Sequence, residues 1–302
     1  MQGAQSTQRQ GLFFALGAFA IWGLLPLYIH ALRWVPPFEL VGWRIVFTVP
    51  VCLLVLLATR RMASLQLAIG NPRVLAVLAA SALLIAANWV IYAYAVQSGQ
   101  VLAASLGYYI NPLVNVLGGT LVFGERLSRA KWIAVGVATL GVSLLAWDAR
   151  DMLWISVSLA LTFGGYGIVR KLAPVDALPG LTVESILLLG PALVALALPA
   201  MGPQGSSMGR GLAPDLLLAS AGVLTATPLL LFTMAARRLD LSLLGFIQFS
   251  SPTLQFVLGV TYFGEALRPV QLACFALIWV AVALFCLDLW RSRRRPAPVA
   301  IP

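Results

Sequence analysis

Apolar stretches of about 20 residues recur from one end of the chain to the other, separated by short polar segments. Each is long enough to cross roughly 30 Å of hydrocarbon as an α-helix. Ten such spans are read, at 12–30, 38–58, 74–96, 101–122, 131–147, 153–172, 180–200, 213–236, 241–262 and 270–290. The alternating polarity of membrane-barrel strands does not appear. The pattern predicts an all-α integral membrane protein with no room for a soluble domain.

The spans fall into two sets of five. At an offset of 140, Pro112, Gly119, Phe123, Gly124, Glu125 and Leu127 coincide with Pro252, Gly259, Phe263, Gly264, Glu265 and Leu267. Each copy reads as an apolar helix broken near its middle by Pro, then a Phe-Gly-Glu turn, then a second apolar helix. The turn has a local explanation: Gly ends one helix in a left-handed conformation, and Glu favours the amino end of the next. Five is odd, so the second repeat enters the membrane in the opposite sense and the two are related by an axis in the membrane plane. Ala20 to Gly23 resembles Phe163, Tyr166 and Gly167 in context. The expected units are 1–147, 153–290 and a basic tail at 291–302. Duplicated membrane chains build their substrate path at the interface between the halves.

Composition agrees with the pattern. Hydrophobic residues make up 61% of the chain and charged ones 10%, against about a quarter charged in a soluble protein. The net charge of +10 suggests nucleic acid until the cations are placed. Arg9; Arg60, Arg61, Arg73; Arg126, Arg129, Lys131; Arg170, Lys171; Arg237, Arg238; and Arg291, Arg293, Arg294, Arg295 fall in segments that share one side of the membrane. Only Arg33, Arg150, Arg210 and Arg268 fall on the other side, and Arg44 lies within a span. The positive-inside rule puts both termini in the cytoplasm, with the basic tail against anionic headgroups. Trp22 and Pro26 within the first apolar run suit a retained span better than a signal peptide. Cys52, Cys274 and Cys286 read as small core hydrophobes, without metal spacing or a disulfide framework.

Polar residues inside the spans carry the functional signal. Ser105, Tyr108, Asn111 and Asn115 share one face of the fourth span, and Gln248, Ser251 and Gln255 repeat it in the ninth. Unpartnered amides and hydroxyls in lipid cost several kcal/mol, so the faces either line a solvated path or bond to one another to hold the bundle. The third span adds Ser81, Asn88 and Tyr92 on one face, with Trp89 beside them. Trp22 and Tyr166, near the middle of spans one and six, stand as wall residues. Pro112 and Pro252 are hinge candidates, because proline frees a backbone carbonyl. Arg44 and Glu184 lie at comparable depths from opposite faces and are gate or coupling candidates. Glu39 belongs to the same set but is close enough to the headgroups to be interfacial. His30 reads as a solvated boundary residue. The 202–211 segment reads as a flexible outer loop.

Ala103 to Pro112, with its Gly-Tyr-Tyr-Ile-Asn-Pro run, Phe123 to Arg126, Leu244 to Phe246, Pro252 and Phe263 to Glu265 resemble the RarD branch of the EamA permeases in the drug/metabolite transporter superfamily. Ala20 to Gly23, Asn88-Trp89, Phe163 to Lys171 and Phe275 to Val280 extend the resemblance over nearly the whole chain. It implies ten helices in two inverted repeats, a bacterial inner-membrane location, and passage of small metabolites or drugs through a central cavity. It brings neither a substrate nor an agreed motif.

The expected function is a secondary transporter of small, amphipathic solutes by alternating access. A channel-like facilitator and a non-transporting membrane sensor are the alternatives. No HExxH or Walker-type loop is present, so no enzyme activity, cofactor or metal is expected. The expected partners are a small-molecule substrate and the lipid bilayer, not nucleic acid, and a homodimer is left open.

Overall fold

The computed structural model describes residues 2–98, 101–148, 153–201, 205–264 and 269–294. Among them all regular structure is helical: α1 Gln2–Ala31, α2 Pro37–Ala58, α3 Met62–Gly70, α4 Pro72–Gln97, α5 Val101–Phe123, α6 Arg129–Asp148 and α7 Leu153–Leu172, followed by α8 Ala177–Ala200, α9 Leu212–Ala219, α10 Ala221–Ala236, α11 Leu241–Gln248, α12 Ser250–Thr261 and α13 Pro269–Arg294. Nine apolar stretches among the described residues are long enough to cross a membrane. The 20-residue α6, packed along α13, brings the spans to ten. Spans eight and nine are each built from two helices, α9 with α10 and α11 with α12.

Local signals set the ends. Pro36 and Pro37 open α2, where a missing N–H costs nothing. Asn71 Oδ1 accepts the N–H groups of Arg73 and Val74 and starts α4. Ser128 Oγ does the same for Lys131 in α6. Gly124 and Gly264 close the fourth and ninth spans with φ of +64° and +65°, a conformation without steric cost only for glycine.

The two prolines act differently from expectation. Pro112 sits inside an uninterrupted α5. The ninth span does break, at Phe249 between α11 and α12. Pro252 accounts for the position, since its ring crowds the carbonyl four residues back, that of Gln248, and offers it no N–H.

Helix packing is symmetric under exchange of the halves. α2 packs on α8, α5 on α11 and α6 on α13, each a pairing of corresponding spans. The contacts of α7 with α4 and α5 are matched by those of α1 with α10 and α12. Glycines set the closest approaches: a Cβ on Gly245 would stand 2.6 Å from the Pro112 carbonyl oxygen, and one on Gly222 would collide with the Phe47 carbonyl. A Cβ at Gly23 would meet Leu254, while one at Gly164 would meet Val114, exactly 140 positions earlier. The packing counterpart of Gly23 is therefore Gly164 and not Gly167.

The perimeter is apolar, with Leu67, Leu121, Trp147 and Leu198 all strongly exposed, as a surface solvated by acyl chains requires. Cys286 belongs to this exposed surface, whereas Cys52 and Cys274 are buried. One helix was not read from the pattern. α3 is short and lays Leu65 and Ala68 on the ends of α2, α4 and α8.

Candidate functional site

The deepest charges lie where α7, α8 and α4 meet. Arg170, near the end of α7, is 0% exposed and Glu184, two turns into α8, is 1% exposed. Arg170 Nη1 lies 3.4 Å from Glu184 Oε1, Ser81 donates its hydroxyl to the same carboxylate, and Arg170 Nη2 donates to the Ala177 carbonyl at 3.0 Å. Arg170 is thus not one of the solvated cytoplasmic cations it was counted with. Its guanidinium fits against α8 only because position 180 is glycine, where a Cβ would strike it. Gly180 and Glu184 are one turn apart on one helical face, so the acid and the space for its arginine partner lie together. A lone charge at mid-membrane costs about 2.5–3.5 kcal/mol on insertion scales, which the pairing reduces.

Arg44 is the residue 140 positions before Glu184, seven residues into α2 from the opposite end. Its Nε donates to Thr225 Oγ1 of α10 at 2.9 Å, and its guanidinium lies 5.0 Å from the Trp89 ring of α4. Tyr28, Tyr92 and Tyr108 lie within electrostatic range of it. Glu39 is not its partner. That carboxylate is 2% exposed and accepts the Ser207 N–H at 2.7 Å, the Ser207 hydroxyl at 2.8 Å and the Trp43 indole N–H at 3.2 Å. Glu39 is buried in the protein, and it pins the described part of the 202–211 segment, which sequence had suggested to be flexible. His30 is exposed as expected and packs its ring against Phe263.

Between the two charged groups lies a small cavity walled by Thr48, Trp89, Tyr166, Glu184, Ser185 and Thr225, together with aliphatic side chains. It has room for the centre of a water molecule over about 10 Å³, the size of a single water site. Its walls come from α2 and α4 of one half and α7, α8 and α10 of the other. Trp22 stands behind it in a ring cluster, 5.4 Å from Phe163 and 5.7 Å from Phe232. Tyr166 stacks on Phe232 and turns its hydroxyl toward Arg170 and Thr233.

The polar stripes meet each other. Asn115 Nδ2 donates to Gln248 Oε1 at 2.7 Å, joining the fourth span to the ninth across the two halves. Asn111 and Ser251 are buried beside this bond. The carbonyl oxygens of Asn111 and Asn115 have no hydrogen-bond donor among the described residues. Gln255 donates to the Trp22 carbonyl at 3.0 Å, and Asn88 to the Leu159 carbonyl and the Thr162 hydroxyl. Tyr92 and Tyr108 approach ring to ring at 6.0 Å. Asn88 thus ties α4 to α7, while Asn111, Asn115, Gln248 and Ser251 form a seam with unspent acceptors. The side chain of Ser105 and all of Glu265 lie outside the described residues.

The duplicated turn does something its local reading missed. Glu125 does not serve α6, the next helix. It accepts the backbone N–H groups of Leu241 at 2.5 Å and Ser242 at 2.9 Å and the Ser242 hydroxyl at 2.6 Å, so it caps α11 in the other half. Lys171 lies 3.4 Å away. Gly119 leaves the space, since a Cβ there would stand 2.8 Å from the Glu125 carboxyl carbon. Burial by itself would raise the carboxyl's pKa, but the bonds from Ser242 and Leu241 and the charge of Lys171 outweigh it and hold the group below its ordinary value. A depressed folded-state pKa contributes stability that is present above the ordinary glutamate range and is lost as pH falls through the folded value. Glu125→Gln is expected to lose about 0.5–2 kcal/mol of stability at neutral pH and to flatten the acid limb of the melting temperature. Melts of the wild type and variant in detergent at several pH values check this, and parallel limbs would reject it.

A sequence profile described as the EamA-like transporter family matches residues 9–147. An uncharacterized transporter of Pseudomonas aeruginosa is 44% identical over 98% of this chain and 99% of its own length. Protein RarD of Streptomyces exfoliatus is 42% identical over 97% of this chain and 93% of its own. Protein RarD of Escherichia coli is 40% identical over 95% of this chain and 97% of its own. A solved crystal structure that is 21% identical in sequence superposes with a TM-score of 0.71, covering 92% of this chain and 98% of that one, and shows the same fold. Identity of this order along the full length shows that the chain is a multi-pass membrane protein of the EamA-like transporter family, in its RarD branch.

Proposed function

We propose that the protein is a secondary transporter that moves small amphipathic solutes by alternating access. Two five-helix repeats, 1–147 and 153–290, would rock about the α2–α8 and α5–α11 contacts. The observation that carries this reading is the small cavity walled from both halves, with Arg44 on one side and the Glu184–Arg170 pair on the other. A channel needs a continuous pore. A carrier passes through a state shut at both ends, and a water-sized interior space suits that state. Glu125 on Leu241 and Ser242 would hold the cytoplasmic side shut, and Glu39 on Ser207 the outer side. Pro252, at the break in the ninth span, is the better hinge candidate of the two prolines.

Counterflow in proteoliposomes tests the reading. Vesicles preloaded with unlabelled solute from a metabolite panel are expected to accumulate the labelled form transiently. Single-channel currents from the purified protein would instead establish a channel. The same reading places the protein in the bacterial inner membrane with both termini in the cytoplasm. Cysteine at Arg210 is expected to react with an impermeant thiol reagent on intact spheroplasts, and cysteine at Ser128 only after the membrane is opened. The reverse pattern would overturn the orientation.

A further inference from the structure

Arg44 is a permanent charge without a countercharge among the described residues. Guanidinium stays protonated in proteins, and no carboxylate lies within ion-pair distance of Arg44 among the described residues. The nearest acid along its own helix, Glu39, is spent on Ser207 and Trp43. The contrast with the other end of the cavity is direct, because there the buried acid Glu184 has Arg170 and Ser81. Of the five N–H donors of a guanidinium, only Nε of Arg44 is engaged among the described residues, with Thr225. Trp89 offers its ring face, which attracts the cation without neutralising it. Trp89 and Thr225 both line the cavity, so the guanidinium stands at its edge. The remaining neighbours, Tyr28, Tyr92 and Tyr108, are phenols that add hydroxyl groups and apolar ring area but no negative charge at neutral pH.

We propose that Arg44 is the anion receptor of this site and that its solutes are amphipathic organic anions. A carboxylate or phosphate group would take the free fork of the guanidinium, with an apolar body against Trp89, Tyr92 and Tyr108. The arrangement also selects by repulsion, since a cationic solute would place two positive charges together in a medium that screens them poorly. The physiological meaning rests on the transporter reading, but the binding is measurable by itself.

The probes are indole-3-acetate, its neutral counterpart indole-3-acetamide, the cation tryptamine, and phenyl phosphate, each titrated against the purified full-length protein in detergent and followed by thermal shift and equilibrium dialysis. The expected result is binding of at least one of the two anions about tenfold or more tighter than the amide, with no binding of tryptamine. Arg44→Gln is expected to abolish the difference between acid and amide, and Arg44→Lys to keep the preference for the acid at lower affinity. The wild-type comparison needs no variant, so poor folding of Arg44→Gln does not remove the test. Equal binding of acid and amide, or no binding of any probe, overturns the proposal. So does stabilisation by added phospholipid that neither anion competes away, which would make Arg44 a lipid-headgroup anchor. Anion-selective binding without counterflow would sink the transporter reading alone. Counterflow of neutral solutes with no preference for acids would sink this proposal alone.

Discussion

Glu184→Leu is expected to lower the unfolding free energy by about 3–5 kcal/mol, the cost of stranding a buried charge when its partner is removed. Arg170 has no other acid within ion-pair distance among the described residues, and its one bond to a carbonyl, that of Ala177, does not neutralise it. Arg170 is 0% exposed, with Gly180 of α8 directly against its guanidinium, so no solvent stands ready to take the carboxylate's place. The variant should accumulate poorly and melt early in detergent. Arg170→Met in the same chain should recover most of the loss, since a buried pair replaced by apolar side chains of similar size is often neutral or stabilising. A double-variant cycle of melting temperatures measures this. Glu184→Leu melting like the wild type would mean that the pair is not a closed electrostatic unit. If the pair is also part of the transport cycle, the stable double variant will still fail in counterflow. Recovery of both stability and transport would reduce the pair to a packing element.

Gln248→Leu is expected to abolish counterflow while leaving abundance near normal. It removes the acceptor of Asn115, leaving a buried amide unpaired at about 1–3 kcal/mol, and fills the seam with apolar volume. Asn111→Leu should behave similarly, because Asn111 is buried beside that bond with a carbonyl oxygen that has no donor among the described residues. Stability and lining are separable here. Changing Asn115 and Gln248 together to Leu removes both partners, which is close to neutral for stability, so the double variant should melt near the wild type and still not transport. Wild-type counterflow in that double variant would show that the seam only holds the halves together.

Much of the architecture was legible in the sequence because the bilayer sets a strict length and polarity for every element. Nine of the ten spans were read to within four residues of their helices, while α1 begins ten residues before the first span as read, and Gly124 and Gly264 were read as the turns they form. The polar faces of the fourth and ninth spans were legible too, since helical periodicity says which side chains share a face. That Asn115 meets Gln248 was not legible, because the repeat matches Gln248 to Tyr108 and Asn115 to Gln255 and does not say which cross-contact forms.

What periodicity does not say is which neighbour a face meets, and there the tertiary structure decided. Arg170 and Lys171 are adjacent basic residues at a helix end, alike in sequence. Helix α8, crossing at Gly180, buries one against Glu184, while the other reaches the Glu125 turn. Glu125 was read through its neighbours in sequence, yet the amino end that needs it belongs to α11, more than a hundred residues away. Pro112 and Pro252 occupy matching positions, but only the second breaks its span. The sequence by itself determined the spans, the duplication and the polar faces, because each follows from local chemistry and the thickness of hydrocarbon. The partners of Arg170 and Glu125 were settled where a missing Cβ, at Gly180 and Gly119, leaves room for the side chain, and those of Glu39 and Arg44 by the distant segments that fold against them, at Ser207 and Thr225.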